Sequence, residues 1–286
     1  MSVLSIGSWV ASPPPSSATR LCMFGGPPYV AHRGRRLSVP EGGKRLLAFV
    51  ALRGRRVDRR HAAGVLWPTG NDERAAGNLR SALWRLKGAG IQLLETDKIA
   101  IYLRPETEVD VDLLEGWAAR VIRGEPNPGD LRAGPFGPDI VELLPGWYDD
   151  WVIFERERIR QRLMHAYEAL TRLLIQAERR AEAVEAGMAV VNMEPLRESA
   201  QRVLVEAHLS EGNKVEAMRC FRTYERLVHD ELGVEPGTQF TQFVRSSIAG
   251  GGPANLSPGS ETLLEIRRPV SRPAESVYTG NGDRGR

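Results

Sequence analysis

Residues 110–248 read almost entirely as helix, and within that stretch the sequence returns to its own pattern after 34 residues. Ala181-Glu182-Ala183 recurs as Val215-Glu216-Ala217, and the same offset pairs Ala166 with Ala200 and Leu170 with Leu204. A 34-residue period in helical sequence is the mark of tetratricopeptide-type (TPR) repeats. Its cause is packing: small alanines let paired helices approach, and neighbouring repeats bury each other's apolar faces. The second part of this chain is therefore expected to be an all-α stack of helix pairs. Residues 113–122 form a first candidate helix, residues 147–178 one long helix or two, and two further pairs follow.

What precedes the helices is different in kind. Residues 1–104 hold 17 Lys and Arg against 6 Asp and Glu, a balance of +11, whereas the remainder holds 22 against 30, a balance of −8. The modest net charge of +3 conceals a basic part suited to a polyanion and an acidic part with another task. The secondary-structure signals are mixed here. Residues 20–24, 29–32 and 36–39 are short β-prone runs broken by Gly and Pro, enough for a small antiparallel sheet. Residues 44–52 form a short apolar helix stopped by Gly54. Asp58 suits the N-cap of a second helix over 59–66, which Pro68 ends. Asp72 suits the cap of a third over 73–87. Residues 91–94 and 99–103 then flank a turn and read as a hairpin. Two successive helices followed by a hairpin make a helix-turn-helix with a wing.

The expected organisation is a disordered leader over 1–19, a winged-helix DNA-binding domain over 20–104, a TPR-like domain over 105–248 and a disordered tail over 249–286. The leader holds Pro13, Pro14 and Pro15 and no Lys or Arg before Arg20, so it lacks the positive start of a signal peptide. The tail is rich in Gly, Pro and Ser. No apolar run of about 18 residues is present, which argues against a membrane span. Cys22 and Cys220 lie far apart, so there is no disulfide framework and no Cys-based zinc site, as suits a reducing cytoplasm. The five histidines show no metal-ligand spacing, and neither a metal nor a cofactor is expected.

The third helix carries the candidate site. At about 100° per residue, Ala75, Leu79, Ala82, Leu83 and Leu86 share one side and face the core. Arg74, Asn78, Ser81 and Arg85 form a stripe on the other side, with Arg80 and Lys87 on one flank and Trp84 on the other. Arg pairs bidentately with guanine in the major groove and Asn with adenine, so the stripe is expected to read bases. Arg80, Lys87 and a second cluster comprising Arg53, Arg55, Arg56, Arg59 and Arg60 suit phosphates, and Lys98 at the hairpin tip suits a wing contact.

These residues fall within a set of segments that resembles one family. LLAFVALRG at 46–54, LWP at 66–68, NLRSALWRL at 78–86, VDVD at 109–112, LLPGWYDDWV at 143–152, EPLRESA at 194–200 and ELGVEP at 231–236 occur in order over about three quarters of the chain. They resemble the Streptomyces antibiotic regulatory proteins (SARP), bacterial transcriptional activators. The resemblance implies a mainly α chain, an OmpR-like winged helix-turn-helix followed by a bacterial transcriptional activator domain with TPR-type repeats. It further implies binding to direct repeats in double-stranded promoter DNA as a homodimer, and help in recruiting RNA polymerase holoenzyme. The loop Thr69, Gly70, Asn71 and Asp72 occupies the position where OmpR-like domains touch polymerase. Residues 147–152 belong to the helical domain and are expected to be structural. The P-loop and phosphoacceptor receiver domain of other regulators have no counterpart here. An enzyme is not expected, because neither a nucleophile motif nor a cofactor fingerprint is present. The alternative is a TPR-type adaptor whose winged helix does not read DNA.

Overall fold

The computed structural model describes residues 19–131 and 142–250; nearly all of the expected leader and tail, and residues 132–141 of the expected TPR-like domain, lie outside them. Strands β1 (Thr19–Cys22), β2 (Tyr29–His32) and β3 (Arg35–Ser38) form an antiparallel meander, as the β-prone runs predicted. A seventh strand, β7 (Thr107–Val109), joins it in parallel beside β1, giving the order β3-β2-β1-β7. The sequence offered no signal for this strand, since three residues are too few for a readable alternation. The parallel register sets Arg20 opposite Glu108, and their side chains pair at 2.9 Å.

Between these strands run three helices and a second sheet. Helix α1 (Glu41–Leu52) buries Leu46, Leu47, Phe49 and Val50. Strand β4 (Arg56–Asp58) leads into α2 (Arg59–Leu66), whose cap is Asp58: its carboxylate accepts from the N–H of Arg60 at 2.8 Å and of His61 at 2.9 Å. Those donations hold the Asp58 carboxyl below its usual range. Helix α3 (Asp72–Gly88) begins one residue earlier than expected, with Asn71 rather than Asp72 as cap; Asn71 Oδ1 accepts from Arg74 N–H at 2.9 Å. Asp72 sits in the first turn, where its charge still complements the helix dipole. Strands β5 (Leu94–Thr96) and β6 (Ala100–Leu103) form the predicted hairpin, and β4 pairs with β6 to complete a three-stranded sheet.

The helical part follows directly. Helix α4 (Asp110–Arg123) ends at Gly124, whose φ of 74° is the left-handed cap that glycine adopts most cheaply. Residues 150–176 form one continuous helix, α5 (Asp150–Gln176), rather than two. The pairs α6 (Arg180–Met193) with α7 (Glu198–Ser210), and α8 (Lys214–Leu232) with α9 (Thr238–Ala249), complete the stack. Helices α6 and α8 begin 34 residues apart, and the paired positions Ala183 and Ala217, Ala166 and Ala200, and Leu170 and Leu204 are all buried. Gly187 shows the closeness: a Cβ there would lie 3.1 Å from Leu204 Cα across the α6–α7 contact.

The winged helix and the helical stack share one core. Phe49 of α1 meets Trp151 of α5 edge to face with ring centroids 5.1 Å apart, and Arg45 pairs with Asp149 beside them. The chain returns to β1 at residues 142–144, where Leu144 N–H donates to Met23 C=O at 2.9 Å. Arg156 clamps this return, donating to the carbonyls of Leu143, Leu144 and Trp147. Asp110, 1% exposed, accepts from the N–H groups of Met23 at 2.6 Å, Phe24 at 3.1 Å and Val111 at 2.9 Å.

Candidate nucleic-acid interface

Helix α3 is held by Ala75, Leu79, Ala82 and Leu86, each buried against α1 and α2. Leu83, expected in the same row, is only half-buried at its margin. With the core face centred on those four positions, the opposite side carries Gly77, Ser81 and Trp84. Trp84 is 75% exposed. It lies only about 40° from Arg80 around the helix, so the two share a flank and Trp84 is not across from Arg80 as the wheel reading had it. At about 100° per residue Trp84, Arg80 and Lys87 all fall on the same side of the Arg74 stripe, so the wheel itself places them on one flank.

Within the stripe, Arg74, Ser81 and Arg85 are exposed and Asn78 is half-buried. The two arginines lie close to neighbouring backbone. Arg74 runs past Gly70, where a Cβ would lie 3.2 Å from Arg74 Cδ. Arg85 extends toward the first turn of α1, where a Cβ on Gly42 would sit 2.7 Å from Arg85 Nη1. The loop Thr69, Gly70, Asn71 and Asp72 is exposed throughout, with Gly70 at φ 115°.

Basic residues from three elements line a single groove of ≈ 550 Å³: Arg59 and Arg60 of α2, Arg80 of α3 and Lys98 of the β5–β6 turn. Asp72 and Glu73, at the start of α3, line the same groove. Lys87 is exposed on the last turn of α3. The turn is fixed in place by Asp97, whose carboxylate accepts from Ile99 N–H at 2.7 Å, Ala100 N–H at 2.6 Å and the Tyr102 hydroxyl at 2.8 Å. These donors hold its carboxyl below the usual range. Arg59 ties the turn to α2: its N–H donates to Ile99 C=O at 2.8 Å and its Nη1 to Asp97 C=O at 3.4 Å. Asp97 was missed in the sequence, although an Asp whose carboxylate accepts from the backbone N–H two residues on is a recognised turn pattern.

The remaining arginines separate. Arg56 is exposed on β4, with its guanidinium 5.6 Å from the Tyr102 ring centroid, and Tyr102 raises its pKa further. Arg53 is exposed at the end of α1, 5.8 Å from the Phe49 ring. Arg55 turns away from the groove. It donates to Asp112 Oδ2 at 2.7 and 3.0 Å and to Thr107 C=O at 2.8 Å, binding β4 to β7 and α4. No group of three or more His, Cys, Asp and Glu side chains that could hold a metal ion is present among the described residues. Nor is any helix among them long and apolar enough to cross a membrane.

A basic winged helix joined to a helical-repeat stack is the layout of a transcriptional regulator, and comparison with known proteins gives the same class. Residues 131–246 match the bacterial transcriptional activator domain. Regulatory protein AfsR of Streptomyces griseus is 24% identical over 243 residues, covering 80% of this chain and 24% of the relative. Regulatory protein AfsR of Streptomyces coelicolor is 26% identical over 252 residues, covering 82% and 25%. The chain thus spans about a quarter of the length of the curated relatives it matches. The structure of Mycobacterium tuberculosis EmbR, determined in complex with a low affinity phosphopeptide, has the same fold with a TM-score of 0.63 at 17% identity; the match covers 81% of this chain and 65% of that one. These similarities support a SARP-type activator architecture, an N-terminal winged helix followed by a bacterial transcriptional activator domain.

Proposed function

We propose that this protein is a cytoplasmic, non-enzymatic activator that binds direct repeats in double-stranded promoter DNA as a homodimer and helps recruit RNA polymerase holoenzyme. The observation that carries the reading is the meeting of Arg59, Arg60, Arg80 and Lys98 in one groove beside the exposed face of α3. Four cations on three elements match a phosphate backbone, whereas a solvated surface has no need to gather them. In this reading Arg74, Asn78, Ser81 and Arg85 read bases, while Arg56 and Lys87 join the groove residues on phosphates. The loop Thr69, Gly70, Asn71 and Asp72 is left free to meet polymerase. Arg55, held by Asp112, is assigned to the joint between the winged helix and the stack. The test is a set of binding curves for the full chain on a sequence enriched from a random duplex pool and on a scrambled duplex. Arg59→Ala is expected to weaken both about equally, since phosphates carry no sequence information. Asn78→Ala is expected to cost roughly 1–3 kcal/mol on the enriched duplex alone. A wild-type chain that enriches no sequence and binds no duplex at low salt would sink the reading and favour a protein-binding adaptor.

A further inference from the structure

Trp84 stands out among the exposed side chains of the winged helix. It is 75% exposed, near the centre of the outward side of α3, although an indole gains most from burial. The turn that bears it is anchored from behind by Ala82 and Leu86, so the ring is presented on a rigid element. The outward positions one and two turns before it are small: Ser81, and Gly77, where an added Cβ would meet nothing nearer than Arg80 Nη2 at 3.7 Å. This leaves α3 a low outward surface that can lie deep in a groove, with a single large apolar ring at its C-terminal half. Arg80 and Lys87, both exposed cations, lie on the same flank of the helix as that ring. An apolar surface beside cations fits a polyanion that itself displays an apolar group. On the major-groove edges of base pairs, the apolar group is the thymine 5-methyl.

We propose that Trp84 is a specificity-determining residue, its indole packing against a thymine 5-methyl in the major groove. The proposal rests on the DNA-binding reading above and adds a residue outside the Arg74 stripe. The test starts from the duplex that the full wild-type chain enriches from a random pool. Each thymine in turn is replaced by deoxyuridine, which removes the methyl and keeps the pairing. At one or two positions the replacement is expected to weaken wild-type binding about fourfold, the worth of one buried methyl. For Trp84→Ala the same replacement is expected to change nothing, while Trp84→Phe keeps part of the effect. Both variants are expected to melt with the wild type, because the ring lies outside the core. Equal thymine-to-deoxyuridine losses in wild type and Trp84→Ala would overturn the assignment. So would a Trp84→Ala variant that retains thymine discrimination on a single site and loses only cooperativity between two adjacent sites, which would make Trp84 a contact between protomers. Failure of the whole DNA reading is told apart by Arg59→Ala, whose loss on every duplex does not depend on Trp84.

Discussion

At the scale of single residues, Asp110 joins the two halves of the molecule most tightly. It is a carboxylate removed from water, and burial pushes its pKa up to about 6 even though three N–H groups and Arg20 favour the charged form. Its pKa when folded therefore lies above its value when unfolded, about 3.9. The folded state binds the extra proton, so this group's contribution is fully present below about pH 4 and is lost as pH rises to about 6. The difference in melting temperature between wild type and Asp110→Asn is expected to follow that window. Wild type should lose up to about 3 kcal/mol relative to its own low-pH value, while the variant, less stable throughout for want of one acceptor, should show no such step. Parallel pH profiles for the two proteins would refute the assignment. Arg55 makes the complementary point. In sequence it was one of five clustered arginines, with nothing to mark it out, because its partner Asp112 lies 57 residues further along.

Among the elements, those with local causes were legible and those with distant causes were not. Helix α2 was found to the residue, because Asp58 and Pro68 bound it and both act within a few residues of its ends. The period of 34 gave the spacing of α6 and α8 because the small and apolar positions that repeat are the ones that pack. Strand β7 exists only through its pairing with β1, some 88 residues earlier, and was invisible. The site divided in the same way. The basic residues of the groove were named from the sequence, but their convergence needed the fold, and the flank of Trp84 was assigned wrongly although the spacing of about 100° per residue already puts it beside Arg80. Packing between elements supplies a further test through two helical glycines. A Cβ at Gly43 in α1 would fall 2.5 Å from Leu86 Cδ2, while at Gly64 in α2 it would meet nothing within 4 Å. Gly64→Ala is expected to stabilise by about 0.5–1 kcal/mol. Gly43→Ala is expected to destabilise by about 1–3 kcal/mol despite the same gain in helix propensity, because α3 must shift to admit it. Chemical denaturation of the two variants reads both signs.

For the whole molecule, the division of charge becomes a measurable quantity. Four cations of the basic part, Arg59, Arg60, Arg80 and Lys98, share one groove. If Arg56, Arg59, Arg60, Arg80, Lys87 and Lys98 each neutralise one phosphate, the plot of log affinity against log salt should fall with a slope of about −5 to −6. Arg59→Ala should make that slope shallower by about 1. A slope near zero on both enriched and random duplexes would show that this surface does not bind through phosphates.

The position of β1 in its sheet also bears on how the chain is made. On a ribosome, Thr19–Cys22 emerges early, and by the time the wing has been synthesised the strand has β2 on one side and nothing on the other. Its second neighbour arrives with residues 107–109, the carboxylate that receives Met23 and Phe24 arrives at Asp110, and the bond to Leu144 comes later still. At about 5–20 residues per second the nascent chain spends seconds with an open sheet edge, the kind of edge that pairs with other chains. Arg20, which later pairs with Glu108 across that edge, sets a charge on it until the chain can close its own sheet.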